Sequence, residues 1–153
     1  MRSRSVLGIA MAVGVVAAGC SAPAAAPASA PPPAAVKAVN ATTTEFKIQA
    51  DSTRVAAGDV TFTVSNKGSI EHEFVIVQTD LSPTALPKDA EGGVAEGGPL
   101  TKVDELEHIA PGSSKVLNVK LQPGKYAFFC NLPGHYTGGM MGGFEVVAAS
   151  ATK

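Results

Sequence analysis

Short runs of alternating apolar and polar residues recur along the chain from Thr44 onward, and turn residues separate them. The clearest run covers residues 60–65, in which valine and phenylalanine alternate with threonine or serine. Alternation with a period of two is typical of a strand that buries one face, and helical periodicity is scarce. The pattern therefore predicts an all-β domain.

Similar runs predict further strands at residues 45–49, 73–78, 116–121, 125–130 and 144–147. The run at 73–78 is apolar at consecutive positions, which is typical of a central strand covered on both faces. About seven such strands predict a Greek-key two-sheet β-sandwich.

Residues 79–109 are harder to place, because a structureless loop of that length is unusual in a compact domain. Their centre, Asp89-Ala-Glu-Gly-Gly-Val-Ala-Glu-Gly-Gly98, is rich in glycine. We expect a short helix or an edge strand within residues 101–108.

The first nineteen residues have the features of a signal peptide. Arg2 and Arg4 precede an apolar stretch at residues 6–16 that is too short for a permanent membrane span. Small residues then lead to Cys20. We predict a signal peptide at residues 1–19.

The sequence Ala-Ala-Gly-Cys at residues 17–20 resembles a bacterial lipobox, in which the cysteine is lipidated and becomes the first residue of the mature protein. A larger aliphatic residue is commoner at the position of Ala17, so plain secretion with cleavage nearby is the alternative. Lipidation of Cys20 would supply the acyl chains for a stable membrane anchor.

Alanine, proline and serine make up most of residues 20–40, which show no apolar periodicity. Such a composition is typical of a semi-extended spacer. The folded domain is therefore expected at residues 41–149, followed by a tail at 150–153.

The charge of the chain excludes one class of partner. Without Arg2 and Arg4, ten basic residues remain against thirteen acidic ones, a formal charge of −3. A protein that binds a phosphate backbone needs a basic patch, and no run of basic residues occurs. We expect no binding to nucleic acid.

Cys130 is one of only two cysteines, and the other is Cys20. In an exported protein an unpaired thiol calls for an explanation. A buried, unreactive cysteine is one explanation. Metal ligation is the better one, because His135 and Met140 follow in the spacing C-x4-H-x4-M.

His72 adds a second imidazole from far upstream, at the start of the predicted central strand. Two histidines, one cysteine and a weak axial methionine are the donor set of a type 1 (blue) copper site. His72, Cys130, His135 and Met140 are therefore the candidate metal ligands. Met141 is the alternative to Met140.

These residues resemble the cupredoxin family, over roughly residues 44–147. The stretch from Tyr126 to Val147 is most similar to the rusticyanin and auracyanin pattern, in which a cysteine ends a strand, a Pro-Gly-His turn follows and a Gly-Met pair precedes the last strand. The resemblance implies an antiparallel sandwich with one copper at one end and the four candidate residues as ligands. It also places a small polar residue after the upstream histidine, where this chain has Glu73.

The loop between Cys130 and Met140 has residues suited to a tight return of the chain. Pro133 restricts one backbone dihedral and Gly134 accepts conformations closed to other residues. Gly138 and Gly139 are expected to let the chain double back toward Met140.

Several other residues near the motif have expected roles. Tyr126, Phe128 and Phe129 are expected to pack in the core and to exclude water from the metal. An apolar patch for electron exit is expected around His135, formed by residues 132, 133 and 136. His108 has no such context and is interpreted as an ordinary solvated histidine.

Four protein ligands leave copper without an open position, which favours an electron carrier cycling between Cu(II) and Cu(I) over an enzyme. Copper oxidases and nitrite reductases need more histidines than the three present. Copper storage or delivery is the alternative function. A metal-free binding module would lack a ligand, and none is missing.

The expected partners are redox proteins and, through the lipid anchor, a membrane. We expect a monomer that faces the periplasm or the cell exterior.

Overall fold

The computed structural model of the protein describes residues 34–149. The predicted signal peptide, the lipidation site at Cys20, most of the predicted spacer and the tail at 150–153 lie outside these residues. Within the described range, no helix is long and apolar enough to cross a membrane.

Along residues 34–149, nine strands form two sheets with the orders β2-β1-β4-β7 and β3-β9-β8-β5-β6. This confirms the predicted all-β two-sheet sandwich. The strands are β1 Ala38–Thr44, β2 Lys47–Ala50, β3 Arg54–Ala56, β4 Gly58–Asn66, β5 His72–Gln78, β6 Thr101–Ile109, β7 Ser114–Leu121, β8 Gly124–Phe129 and β9 Met141–Val147. A 3-10 helix, Pro83–Ala85, follows β5, and a one-turn helix α1, His135–Gly138, precedes β9.

Alternating residues of the two sheets fill the core between them. In β4, Val60, Phe62 and Val64 are buried, and the threonines between them are partly exposed. The ring of Phe62 lies 5.9 Å from that of Phe74 in β5 and 5.6 Å from that of Phe144 in β9. Burial of one large apolar side chain stabilises the fold by about 1.5–3 kcal/mol, so these rings hold the sheets together.

Strand β5 is buried on both faces, as its apolar sequence predicted, and it pairs with β6 on one side and β8 on the other. Phe74 and Ile76 belong to the core between the sheets. Val75 and Val77 belong to a second cluster on the opposite face. Three residues of that cluster come from the segment after β5, namely Leu86, Val94 and Leu100.

Residues 79–100, here called the covering segment, are thus structured and lie over the outer face of β5 and β8. The segment contains the 3-10 helix and a β-bridge between Lys88 and Val94. Of the two alternatives for residues 101–108, the edge strand is confirmed as β6, and the helix is wrong.

The N-terminal part of the domain differs most from the prediction. The predicted strand at 45–49 begins two residues too early, because Glu45 and Phe46 form a turn and β2 starts at Lys47. That turn joins β2 to β1, a strand that was not predicted, and the two pair through Thr44 and Lys47. Strand β1 begins at Ala38, so the folded part starts before the expected boundary at residue 41. Small residues at its core-facing positions made β1 hard to detect.

The pairing within the sheets is mixed. Strand β1 is parallel to β4 and β3 is parallel to β9, while the other pairs are antiparallel. The purely antiparallel sandwich that the resemblance implied is therefore wrong in this detail. The short strand β3 was not predicted.

Candidate metal centre

The predicted ligands come from two neighbouring strands and one loop. Strand β5 begins at His72, and Cys130 directly follows the end of β8. The two strands are antiparallel partners, with Val75 opposite Phe129. The start of one therefore lies beside the end of the other, and sheet pairing brings His72 and Cys130 together.

The loop after Cys130 returns His135 to the same place. One side-chain donor atom from each of His72, Cys130 and His135 lies within 4.8 Å of the other two. Sγ of Cys130 is 3.3 Å from Nδ1 of His135, and the two histidine rings have centroids 5.2 Å apart. Three of the four candidate ligands thus meet as expected.

The imidazole of His72 is fully buried, and neither of its ring nitrogens has a hydrogen-bond partner among the described residues. Buried polar atoms without partners are costly, by about 1–3 kcal/mol each. Burial lowers the pKa of His72, and the neighbouring His135 lowers it further. The neutral imidazole is the form that binds a metal ion, so this environment fits a ligand.

Cys130 is fully buried and forms no disulfide with any residue in the described range. Burial raises the pKa of its thiol, although the backbone N–H of Glu73 donates a hydrogen bond to Sγ at 3.3 Å. A metal ion would have to displace the thiol proton. The N–H of Glu73 supplies a bond to the sulfur from the position where the family pattern has a small polar residue.

Backbone hydrogen bonds close the loop that carries His135. The N–H of His135 donates to the carbonyl of Leu132 at 2.9 Å, and the N–H of Met140 donates to the carbonyl of His135 at 3.1 Å. Gly134 and Gly139 flank α1 with φ angles of +79° and +118°. These left-handed conformations favour glycine, which explains how the predicted tight return is made.

Met140 and Met141 lie in different surroundings. Met140 is fully buried in the core cluster that contains Cys130. Met141 is half-buried and packs against the second cluster, on the outer face of β5 and β8. The packing favours Met140 over Met141 as the fourth donor, and its ligand role remains a prediction.

The residues exposed around His135 are not all those expected for the apolar patch. Tyr136 is buried, not exposed, and its hydroxyl donates to the carbonyl of Pro83 at 2.8 Å and accepts from the N–H of Leu86 at 3.0 Å. The exposed aromatic beside His135 is Phe46, with ring centroids 5.9 Å apart. In the sequence, Phe46 stands out only as a large apolar residue between polar neighbours, Glu45 and Lys47.

Two further expectations concern residues outside the cluster. Tyr126, Phe128 and Phe129 are all buried, which confirms their packing role. His108 is exposed, its Nδ1 lies 2.9 Å from a carboxylate oxygen of Glu71, and that contact raises its pKa. His108 is not part of the cluster.

Comparison with known proteins agrees with this arrangement. The model of the cupredoxin-like domain matches residues 10–141. The copper-resistant cuproprotein CopI of Rubrivivax gelatinosus is 31% identical over 91 residues, which are 54% of this chain and 48% of that protein. The chain therefore spans about half the length of this curated relative.

Solved structures with a similar fold include two copper-protein types. Dithionite-reduced auracyanin from Roseiflexus castenholzii is 25% identical with a TM-score of 0.56, covering 74% of this chain and 99% of that one. Rusticyanin from Thiobacillus ferrooxidans is 17% identical with a TM-score of 0.53, covering 74% and 79%.

The donor chemistry at the cluster fits copper, because thiolate, imidazole and thioether groups favour copper over the hard cations. The cluster of His72, Cys130 and His135, with Met140 nearby, is a site for a single copper ion. From the match to the family model and the fold, the chain belongs to the cupredoxin family.

Proposed function

We propose that the protein is a one-electron carrier with a type 1 copper centre whose ligands are His72, Cys130, His135 and Met140. The observation that carries the proposal is the convergence of three buried or half-buried donors within 4.8 Å. One of them is an imidazole whose two nitrogens have no hydrogen-bond partner within residues 34–149. Bound copper would supply a couple between Cu(II) and Cu(I).

The residues around the site hold one arrangement of donors. Sheet pairing fixes His72 beside Cys130, and the N–H of Glu73 orients the sulfur. Backbone hydrogen bonds of the loop fix the main chain at His135 and Met140. An arrangement that changes little between the two oxidation states lowers the barrier to electron transfer, which is why rigidity suits a carrier.

Burial of the donors keeps water away from the metal position. His72, Cys130 and Met140 are fully buried, and the buried ring of Phe74 lies two residues after His72 in β5. A dry surrounding of this kind controls the reduction potential. With four protein donors no position is left for a substrate, so we propose a carrier and not an enzyme.

His135 is the half-buried ligand and the route by which electrons would enter and leave. Phe46 is 53% exposed beside it, and Pro133 is exposed in the same loop. An apolar surface around a ligand edge suits brief docking of a redox protein. We propose that partner proteins dock here and that the chain acts as a monomer without binding nucleic acid.

The N-terminal sequence supports an exported location. A signal peptide at residues 1–19, lipidation of Cys20 and a spacer up to residue 40 would tether the domain to the outer face of a bacterial membrane. Cys20→Ala is expected to release the protein from the membrane fraction, and continued membrane retention would contradict the lipid anchor.

Copper storage or delivery is the second candidate, because a relative that matches 54% of this chain is named a copper-resistant cuproprotein. Delivery would need a site that gives up its ion readily. The buried donors favour retention, and only Met140 and Met141 remain of the four methionines once residues 1–19 are removed.

Visible absorption and EPR spectra after addition of Cu(II) test the proposal. A type 1 site is expected to give an intense thiolate band and narrow copper hyperfine splitting, both lost on reduction and restored on oxidation. A colourless protein, or one that takes up only Cu(I), would contradict the carrier and favour copper handling.

A further inference from the structure

The turn between β1 and β2 consists of Glu45 and Phe46 and lies at the metal centre. Phe46 has a φ of +59°, a left-handed conformation that non-glycine residues rarely adopt. Its side chain is also 53% exposed. A bulky residue in an unfavourable backbone conformation at the surface needs a compensating contact.

Glu45 contacts the loop that leads into His72. Its carboxylate accepts hydrogen bonds from the N–H of Ser69, from the hydroxyl of Ser69 at 3.0 Å and from the N–H of Ile70 at 3.1 Å. A Cβ on Gly68 would lie 2.6 Å from the carboxylate, so glycine makes this approach possible. These bonds, with that from the Ser69 backbone foremost, lower the pKa of Glu45 to about 2.

Phe46 contacts the loop that carries His135. Its ring meets the imidazole edge to face, with centroids 5.9 Å apart and planes inclined by 71°. The ring lies directly over Gly138, where a Cβ would collide with it. A Cβ on Gly139 would lie 3.1 Å from the carbonyl oxygen of Phe46. Glycines on both loops therefore make room for the turn.

His135 needs such a contact more than the other donors do. His72 is paired with Ile109 of β6, and Cys130 directly follows β8, which is paired with β5. His135 lies five residues beyond Cys130, on a single helical turn with left-handed glycines at both ends. Strand pairing does not reach it, and its ring direction depends on what packs against it.

We propose that Glu45 and Phe46 form a clasp that joins the loop leading into His72 to the loop carrying His135, and that this clasp fixes the imidazole of His135 relative to His72 before metal binds. The assignment of the ligands rests on the proposed copper site, whereas the clasp itself is a property of the metal-free protein. Both residues are positioning residues, because Phe46 has no donor atom in its side chain and the carboxylate of Glu45 is bonded to Ser69 and Ile70, outside the donor cluster.

Amide hydrogen exchange in the metal-free protein tests the clasp, and it does so whether or not the site takes copper. Phe46→Gly removes the ring and suits the backbone conformation. We expect faster exchange of the Met140 amide in the His135 loop by about two- to tenfold, the range that an edge-to-face aromatic contact accounts for. Phe46→Tyr, which keeps the ring, should restore the slow exchange.

The decisive result is whether a change in one contact alters amide exchange in the loop that the other contact touches. Phe46→Gly should also speed exchange of the Ser69 and Ile70 amides, and Glu45→Gln should also speed that of Met140. If each variant alters only the loop that it touches, the two contacts are independent and the clasp is overturned. Phe46→Asn, which tolerates a positive φ, replaces the glycine variant if that one fails to fold.

Leu81→Ala is the matched control. Leu81 is an exposed apolar residue at the opposite end of β8, beside Lys125. The Leu81→Ala substitution should leave amide hydrogen exchange unchanged at Ser69, Ile70 and Met140. Equal acceleration in this control and in Phe46→Gly would mean a general loss of stability and would contradict a positioning role.

Discussion

The two histidines of the metal centre have opposite surroundings. His72 opens a strand that is paired on both sides, and it is fully buried. His135 lies on a single helical turn in a loop, and it is half-buried. The sheet therefore supplies a histidine that is fixed and shielded from solvent, and the loop supplies a histidine that solvent and partner proteins can approach.

The same contrast extends to what holds each residue. Main-chain pairing in the sheet holds His72, so its position follows from the fold itself. Side-chain contacts with other segments support the loop of His135. The ring of Phe46 packs against His135, and the buried hydroxyl of Tyr136, the next residue in the loop, bonds to Pro83 and Leu86. Changes in the loop can therefore alter the site while the sandwich stays intact.

Cys130 lies between the two histidines, because it follows the strand beside β5 and begins the loop that carries His135. Its removal therefore has the largest expected effect on copper binding. Cys130→Ser keeps the size of the side chain but replaces the soft sulfur by a hard oxygen. We expect complete loss of the intense visible band after addition of Cu(II), measured by absorption. A variant that stayed blue would remove Cys130 from the site.

Replacing each histidine by glycine tests whether the two histidines differ in their access to solvent. His135→Gly leaves a gap open to solvent, and added imidazole should fill it and restore the visible band. His72→Gly leaves a gap that is closed off from solvent, and imidazole should restore little. Equal rescue of the two variants would show that the two sides do not differ in access.

A smaller effect is expected at the axial position. Met140→Leu removes the thioether and is expected to retain copper with a higher reduction potential, since the axial ligand tunes that potential. Met141→Leu is the matched control, and it should leave the potential unchanged. A shift in the control alone would transfer the axial role to Met141.

The support of the loop by the covering segment gives the smallest expected effect. Tyr136→Phe removes a hydroxyl that bonds to Pro83 and Leu86, and it leaves a buried N–H unpaired. We expect a loss of stability of about 1–3 kcal/mol in chemical denaturation, with the visible band retained. Tyr126→Phe, which loses one bond to the carbonyl of Gln122, should cost less.

The sequence predicted those parts of the site that are local in the chain. Cys130, His135 and Met140 lie within eleven consecutive residues, so their spacing alone indicated a shared metal. His72 was selected by its place at the start of the predicted central strand and by the resemblance to a family, because no local pattern connects a strand start to a loop far downstream. Alternating apolar residues likewise predicted β4 and β7, and runs of consecutive apolar residues predicted β5 and β8.

The features that were missed depend on contacts between distant segments. Strand β1 has small side chains facing the core, so its apolar pattern is weak. Tyr136 was placed at the surface beside His135, but successive residues of a helical turn point in different directions. Phe46 reaches the site only because the hairpin of β1 and β2 ends there.

Reversible redox titration of the copper-loaded protein, with copper content measured before and after, distinguishes an electron carrier from a copper-delivery protein. An electron carrier should take up one electron per chain, lose and regain its visible band over repeated cycles, and retain its copper in the presence of a Cu(I) chelator. Release of copper to the chelator on reduction would contradict the carrier and show that the site hands over its metal.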